Sequence, residues 1–179
     1  MQTWLSWSSG KDSAWSLEML RRGGAHAVTG LFTTVNAQFD RVAMHAVRRT
    51  LLEAQAKAAG LPLHAIDIPY PCPNADYERI MGSFVAEALA QGVQAMAFGD
   101  LFLADIRAYR ERQLAGTGIA PLFPLWERDT RALANEMIDD GLVAHTTCVD
   151  PRTLVTSRVH QDDGQAPLKG ATVALQVDD

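Results

Sequence analysis

Positions 8 to 13 read Ser-Ser-Gly-Lys-Asp-Ser, directly after the short run TWLSW. Together these residue types make a bed for a phosphate. Gly10 lets the backbone approach an anion closely. Lys11 brings a compact positive charge, and the hydroxyls of Ser8, Ser9 and Ser13 add donors. Where a strand turns into a helix at such a segment, the unpaired N–H groups and positive dipole end of the helix strengthen the attraction. Asp12 opposes this unless its carboxylate caps the helix by accepting first-turn N–H groups, or faces a magnesium ion beside the phosphates. The ligand-free alternative is a capped helix after a tight turn, and the six residues by themselves fit both. Two other phosphate loops are excluded. A Walker A loop needs a glycine where Leu5 stands and Ser or Thr where Asp12 stands, and no GxGxxG follows any strand.

The loop has to be carried by its flanking elements. TWLSW (3–7) reads as a strand, and 12–22 as a helix ended by Gly23-Gly24. A β-branched apolar run, 26–35, is a buried strand. Met44, Val47, Leu51, Ala54 and Ala58 recur at spacings of three and four, predicting a helix face that stops at Gly60. LHAIDI (63–68) is a third strand. Tyr77, Ile80, Met81, Phe84, Val85, Ala88 and Leu89 form a helical stripe. VQAMAFG (93–99) is a fourth strand and 104–115 a helix. The prolines of IAPLFPLW keep 119–126 extended. A helix over 130–140 and a strand over 142–149 follow. Strands and helices alternating in this way predict an α/β fold, a doubly wound parallel sheet of about five strands with helices on both faces. In such sheets ligands sit at the carboxyl ends of the strands, the edge where Ser8–Ser13 and the pair Gly99-Asp100 both fall. Residues 1–154 read as the domain. The tail, 155–179, is polar around Asp162, Asp163, Gly164 and Pro167 and holds one alternating run, ATVALQV. It is expected to be dispensable for folding.

Composition narrows the partners. The 179 residues carry a net charge of -5 and are 47% hydrophobic, with a pI near 5.5. An acidic chain is poorly suited to a phosphate backbone, so nucleic acid is disfavoured. Cys72 and Cys148 form no CxxC pair, as expected for a reducing, cytoplasmic setting. No apolar run is long enough to cross a membrane, and no signal peptide is read. His26, His45, His64, His145 and His160 lack metal-ligand spacing. Arg48-Arg49 reads as a solvated helix face.

SSGKDS is similar to the Ser-Gly-Gly-Lys-Asp-Ser loop of the PP-loop ATP pyrophosphatases, in the adenine nucleotide alpha hydrolase-like superfamily, with Ser9 in place of the first glycine. AFGDL (97–101), IRAYRER (106–112), PLFPLWERD (121–129) and EMIDDGLVA (136–144) resemble the diphthine–ammonia ligase family, in that family's order and spacing. The resemblance spans residues 4 to 154. It implies a Rossmann-like, HUP-type fold and an ATP-dependent ligase that adenylates a carboxylate and lets ammonia displace AMP. By the same resemblance Ser8, Ser9, Gly10, Lys11, Asp12 and Ser13 would cradle the pyrophosphate, with Lys11 neutralising charge and Asp12 holding Mg2+. Phe32 and Thr33, at the end of the second strand, would meet the adenine through their backbone.

Gly99 and Asp100 would close the site. Asp100 would order magnesium or ammonia, its alternative role being a helix cap. Arg107 and Glu111, four apart on one helix face, match the family pattern on the acceptor side; the alternative is a surface ion pair. Trp126 reads as packing, and His45 matches a family histidine at the start of the second helix. The implied partners are ATP, ammonia and a carboxylate acceptor, either a small molecule or a modified protein side chain, with a homodimer left open. Nothing after Leu154 matches the family's Gly-Glu-Asn-Gly-Glu stretch. Two other readings are a nucleotide-holding module without ligation and a sulfur-transferring tRNA enzyme, the latter disfavoured by the acidic balance and unpaired cysteines. Lys11→Ala is expected to weaken Mg-ATP binding at least about tenfold, through loss of charge-assisted contacts worth roughly 1.5–3 kcal/mol. Calorimetry on the folded variant checks this, and an unchanged affinity would remove the phosphate assignment.

Overall fold

The computed structural model describes residues 1–146 and 174–175. The main sheet contains β1 (Gln2–Ser6), β2 (Ala27–Asn36), β3 (Arg41–Val42), β4 (Leu63–Ile68), β5 (Ala95–Ala97) and β6 (Ala120–Leu122). The helices are α1 (Lys11–Gly23), α2 (Arg49–Ala59), α3 (Asn74–Ala90), α4 (Ala104–Leu114) and α5 (Thr130–Asp139). Five strands run parallel in the order β4-β2-β1-β5-β6, with Leu5 opposite both Leu31 and Ala97. This is the expected doubly wound sheet. The unforeseen addition is β3, two residues antiparallel to the end of β2, with Val42 opposite Val35. Since β4 occupies the other edge of β2 at Val35, β3 lies on the β1 side, just past the end of β1.

Alternation along the central strands feeds two cores. Trp4, Phe32 and Met96 face α3 and α4, packing with Met81, Phe84, Val85 and Leu114. Leu5, Leu31 and Ala97 face α1 and α2, packing with Leu17, Leu20, Leu52 and Ala56. A smaller cluster of Trp15, Leu125, Leu133 and Met137 seats α5 on α1. Large side chains fully buried in these clusters contribute roughly 1.5–3 kcal/mol each. The Trp4 ring stacks on His64 at 3.8 Å, and burial lowers the pKa of this imidazole. Trp4 and His64 also leave Gly30 no space for a Cβ, which would meet Trp4 at 2.9 Å and His64 at 3.2 Å.

β4 and α3 fall where the sequence pattern puts them, although Leu89, assigned to the α3 stripe, is exposed. The expected face of α2 is wrong. Met44 is 95% exposed and lies before the helix, and Leu51, Ala54 and Ala58 are also exposed. The buried face is Leu52, Gln55 and Ala56. Residues 37–48 instead form a strap around β3 in which Asp40, Met44 and Ala46 all have positive φ. His45 therefore sits in the strap and not at a helix start. Arg49 is not simply solvated: its Nε donates to Asp40 at 2.6 Å and its other nitrogen reaches Asp67.

The strand expected over 142–149 is β7 (His145–Thr146), which pairs with β8 (Ala174–Leu175) in a separate two-stranded sheet. Residues 147–173 and 176–179, including Cys148, His160, the boundary at 154 and most of the tail, lie outside the described residues. No helix of the described residues is long and apolar enough to cross a membrane.

The two faces of α2 are separable by experiment. Leu52 is fully buried and Leu51 is 38% exposed. Leu52→Ala is expected to lower unfolding free energy by about 2–4 kcal/mol, and Leu51→Ala by less than about 1 kcal/mol. Urea unfolding of the two variants measures the difference; equal losses would contradict this placement of the helix.

Candidate functional site

β1 is the switch point of the sheet, since the chain winds from it to β2 on one side and later to β5 on the other. The gap at the carboxyl ends of β1 and β5 is where an open α/β sheet admits a ligand. Residues 7–13 occupy it. Trp7 is still tied to the sheet, its N–H donating to the Phe32 carbonyl at 2.8 Å. The chain then turns at Ser9, with φ 68°, and α1 begins after Gly10.

The loop is internally braced. Gly10 N–H donates to Ser8 Oγ at 3.3 Å, and Ser13 Oγ donates to the Gly10 carbonyl at 2.9 Å. Ser8 and Ser13 hydroxyls are 3.3 Å apart. Asp12 does not cap the helix. Its carboxylate accepts from Lys11 Nζ at 2.8 and 3.0 Å, which resolves the apparent conflict of acid beside base: the pair neutralises itself at the mouth of the turn. α1 has no side-chain cap, so its first-turn N–H groups are not taken by a capping side chain and keep the positive end of the helix at the loop.

Ser9 stands where the resembling loop has glycine, in the left-handed conformation that costs a residue with a side chain about 1–2 kcal/mol. It is fully buried, and its hydroxyl has no partner. An orphaned buried hydroxyl within this turn fits an anion that would use it. Mg2+ ordinarily needs only one or two protein carboxylates alongside phosphate oxygens, so Asp12 suits that role. No cluster of three ligating side chains exists among the described residues.

Gly99 follows β5 at van der Waals distance from the loop. A Cβ there would lie 3.1 Å from the Asp12 carbonyl carbon, 3.2 Å from its oxygen and 3.3 Å from Ser13 N. Asp100, next in sequence, lies 3.7 Å from Arg110 Nε, and both facing atoms are buried without a hydrogen bond. Arg110 also lies over the Phe98 ring, 4.6 Å from its centroid. Phe32 and Thr33 are placed differently from expectation. β2 runs on to Asn36, so both are within the strand, opposite His64 and Ala65, and the Phe32 ring is in the core. Arg107 and Glu111 pair with one another at 2.8 Å. The Arg107 guanidinium lies 4.8 Å from the Phe123 centroid and 4.7 Å from that of Trp126. No described hydrogen bond or ion pair joins this pair to the loop. Thus Ser8–Ser13 and Gly99 come together, Asp100 borders them, and Arg107 with Glu111 form a separate unit along α4.

Two residues of the site neighbourhood escaped the sequence reading. Arg110 is the partner of Asp100. Gln55, only 6% exposed, accepts from Trp7 Nε1 at 3.0 Å and donates from Nε2 to the Ser9 carbonyl at 3.4 Å. The available signal was the stripe Leu52, Gln55, Ala56 and Ala59, in which a polar residue interrupts an apolar face. Farther along the strand ends, Phe39, Val42, Met44, Ile68 and Tyr70 line a mostly apolar groove of about 530 Å³ that includes none of the sequence-predicted site residues.

No protein-family model matches the chain, and no curated protein does either.

The close approach at Gly99 yields an opposing pair of expectations. Gly99→Ala should destabilise the protein by about 1–3 kcal/mol, because only backbone can give way. Gly82→Ala, at an exposed position of α3 where nothing lies within 4 Å of the added carbon, should stabilise it by about 0.4–1 kcal/mol. Thermal unfolding of both variants tests whether the loop and β5 are held in contact.

Proposed function

We propose that the protein is an ATP-dependent, AMP-forming ligase that adenylates a carboxylate and amidates it with ammonia. The observation that carries this reading is the turn Ser8–Ser13 at the switch point, with an uncapped helix start, a lysine, a buried unpartnered hydroxyl and the Gly99 backbone against it. The resemblance of the later segments to diphthine–ammonia ligases supplies the reaction. In it, an acceptor carboxylate oxygen attacks the α-phosphorus of ATP, and the bond to the bridging oxygen breaks to release pyrophosphate. Ammonia then attacks the acyl carbon, AMP leaves with the bonding pair, and the nitrogen loses a proton. Adenylation is needed because a bare carboxylate repels a nucleophile and has no good leaving group.

The residues divide this work. First-turn N–H groups of α1 and the Ser9 and Ser13 hydroxyls would hold the departing phosphates, and Lys11 would turn from Asp12 towards the developing negative charge. That exchange would free the Asp12 carboxylate to hold Mg2+, which would supply charge neutralisation for the polyphosphate. Asp100, lacking a hydrogen bond to Arg110, retains an oxygen that can accept from ammonia. A positioned acceptor gains its rate from orientation.

A second reading, a nucleotide-holding module that does not ligate, is favoured by one observation: Arg107 and Glu111 satisfy each other, and Arg107 is packed against two rings. AMP and pyrophosphate release with Mg-ATP, ammonium and a panel of carboxylates separates the two readings. In the ligase reading, Arg107→Ala and Glu111→Gln each lower turnover and leave Mg-ATP affinity nearly intact. Unaltered turnover would reduce them to a helix-surface pair worth about 0.3–0.5 kcal/mol.

A further inference from the structure

We infer that Gln55 is the positioning residue of the phosphate loop, acting on it from α2 through Ser9. This rests on the nucleotide reading above and adds to it a residue outside the loop. Three facts point to it. An amide at a site enclosed by Leu52, Ala56 and the α1–α2 core has to be hydrogen-bonded to be tolerated, so its location is dictated by its partners. Two of those partners bracket the loop entrance: the Trp7 indole at 3.0 Å, one residue before Ser8, and the Ser9 carbonyl at 3.4 Å. The residue it holds at the second point is the strained one, with φ 68° and a side chain that disfavours that conformation.

The arrangement works as a two-point clamp. Trp7 is 5% exposed, and its backbone is fixed by the Phe32 carbonyl. Its indole N–H thereby fixes which way the Gln55 amide faces, presenting Nε2 to Ser9. The Ser9 carbonyl can reach that donor only in the turned conformation, so the bond selects it over extended alternatives. Rotating Ser9 out of the left-handed region would swing Gly10 and the start of α1, and with them the N–H groups offered to a phosphate. A bulky apolar residue would fill the same space without making either bond.

The experiment is a cycle of Gln55→Met and Ser9→Gly, singly and together, read by Mg-ATP calorimetry and by urea unfolding without nucleotide. Glycine enters the left-handed region freely, so it should lessen the need for the clamp. Gln55→Met is expected to weaken Mg-ATP about fivefold or more in the native background and less than about twofold beside Ser9→Gly, with a smaller fall in urea midpoint beside glycine as well. Equal losses in both backgrounds would make Gln55 a packing residue only and overturn the inference. If the native protein fails to bind Mg-ATP, the nucleotide reading falls. The urea cycle then still decides: a midpoint loss that shrinks beside glycine sustains the Gln55–Ser9 link, and an additive one removes it. Should Gln55→Met not fold alone, Trp7→Phe, which takes away the indole anchor and keeps an aromatic ring, goes through the same two backgrounds under the same criteria.

Discussion

The fold turns on the contact of backbone with backbone between Gly99 and the Asp12–Ser13 peptide. The connections leaving β1 and β5, neighbours in the sheet, diverge to opposite faces, α1 to one and α4 to the other. What fills the divergence decides whether a cleft forms or the gap closes. Here one side is a helix start and the other a residue without a side chain, so the loop is seated directly against the end of β5. The start of α1, the lysine beside its aspartate, and Asp100, one residue beyond Gly99, all adjoin that contact.

The loop and its flanking elements were legible because their signals are local. Glycines end α1 and α2 in left-handed conformations at Gly24 and Gly60, and LHAIDI is bounded as a strand by proline on both sides. The α2 face was misread for a physical reason. Met44 and Val47 extend an i, i+3, i+4 spacing backwards from Leu51, Ala54 and Ala58, and periodicity has no means of telling a helix from a strap that passes the same points. Residues 37–48 are specified by tertiary pairing, with Ala43 N–H bonded to the Thr34 carbonyl and Arg49 tying Asp40 to Asp67. Three non-glycine residues with positive φ carry no local code for it. Once the strap is granted, the true stripe of α2 includes a glutamine, which a hydrophobic pattern discounts.

The site was legible in its charge chemistry and less so in its supports. Lysine beside aspartate could be read as an apparent conflict, and the direct ion pair between them is its resolution. Phe32 and Thr33 come from the family resemblance; the strand itself was legible, its expected end at residue 35 lying one short of Asn36. What 26–35 does not show is which strands pair with it: β1 and β4 flank Phe32, and β4 and β3 hold the end of β2. Arg107 likewise shows its spacing to Glu111 in the sequence but not the rings of Phe123 and Trp126 that pin it, which reach it only through the β5–β6 crossover.

The seating of Gly99 also sets an order of events during synthesis. β1 and the loop emerge first, and β2 can pair with β1 soon afterwards. The wall behind the loop arrives only when β5 has been made, with α3 between. Long-range parallel pairing of this kind is slow because chain entropy must be surrendered before the contact is gained. Until β5 is made, the turn around Ser9 lacks the Gly99 backbone beside it. The loop gains that wall only when β5 docks beside β1.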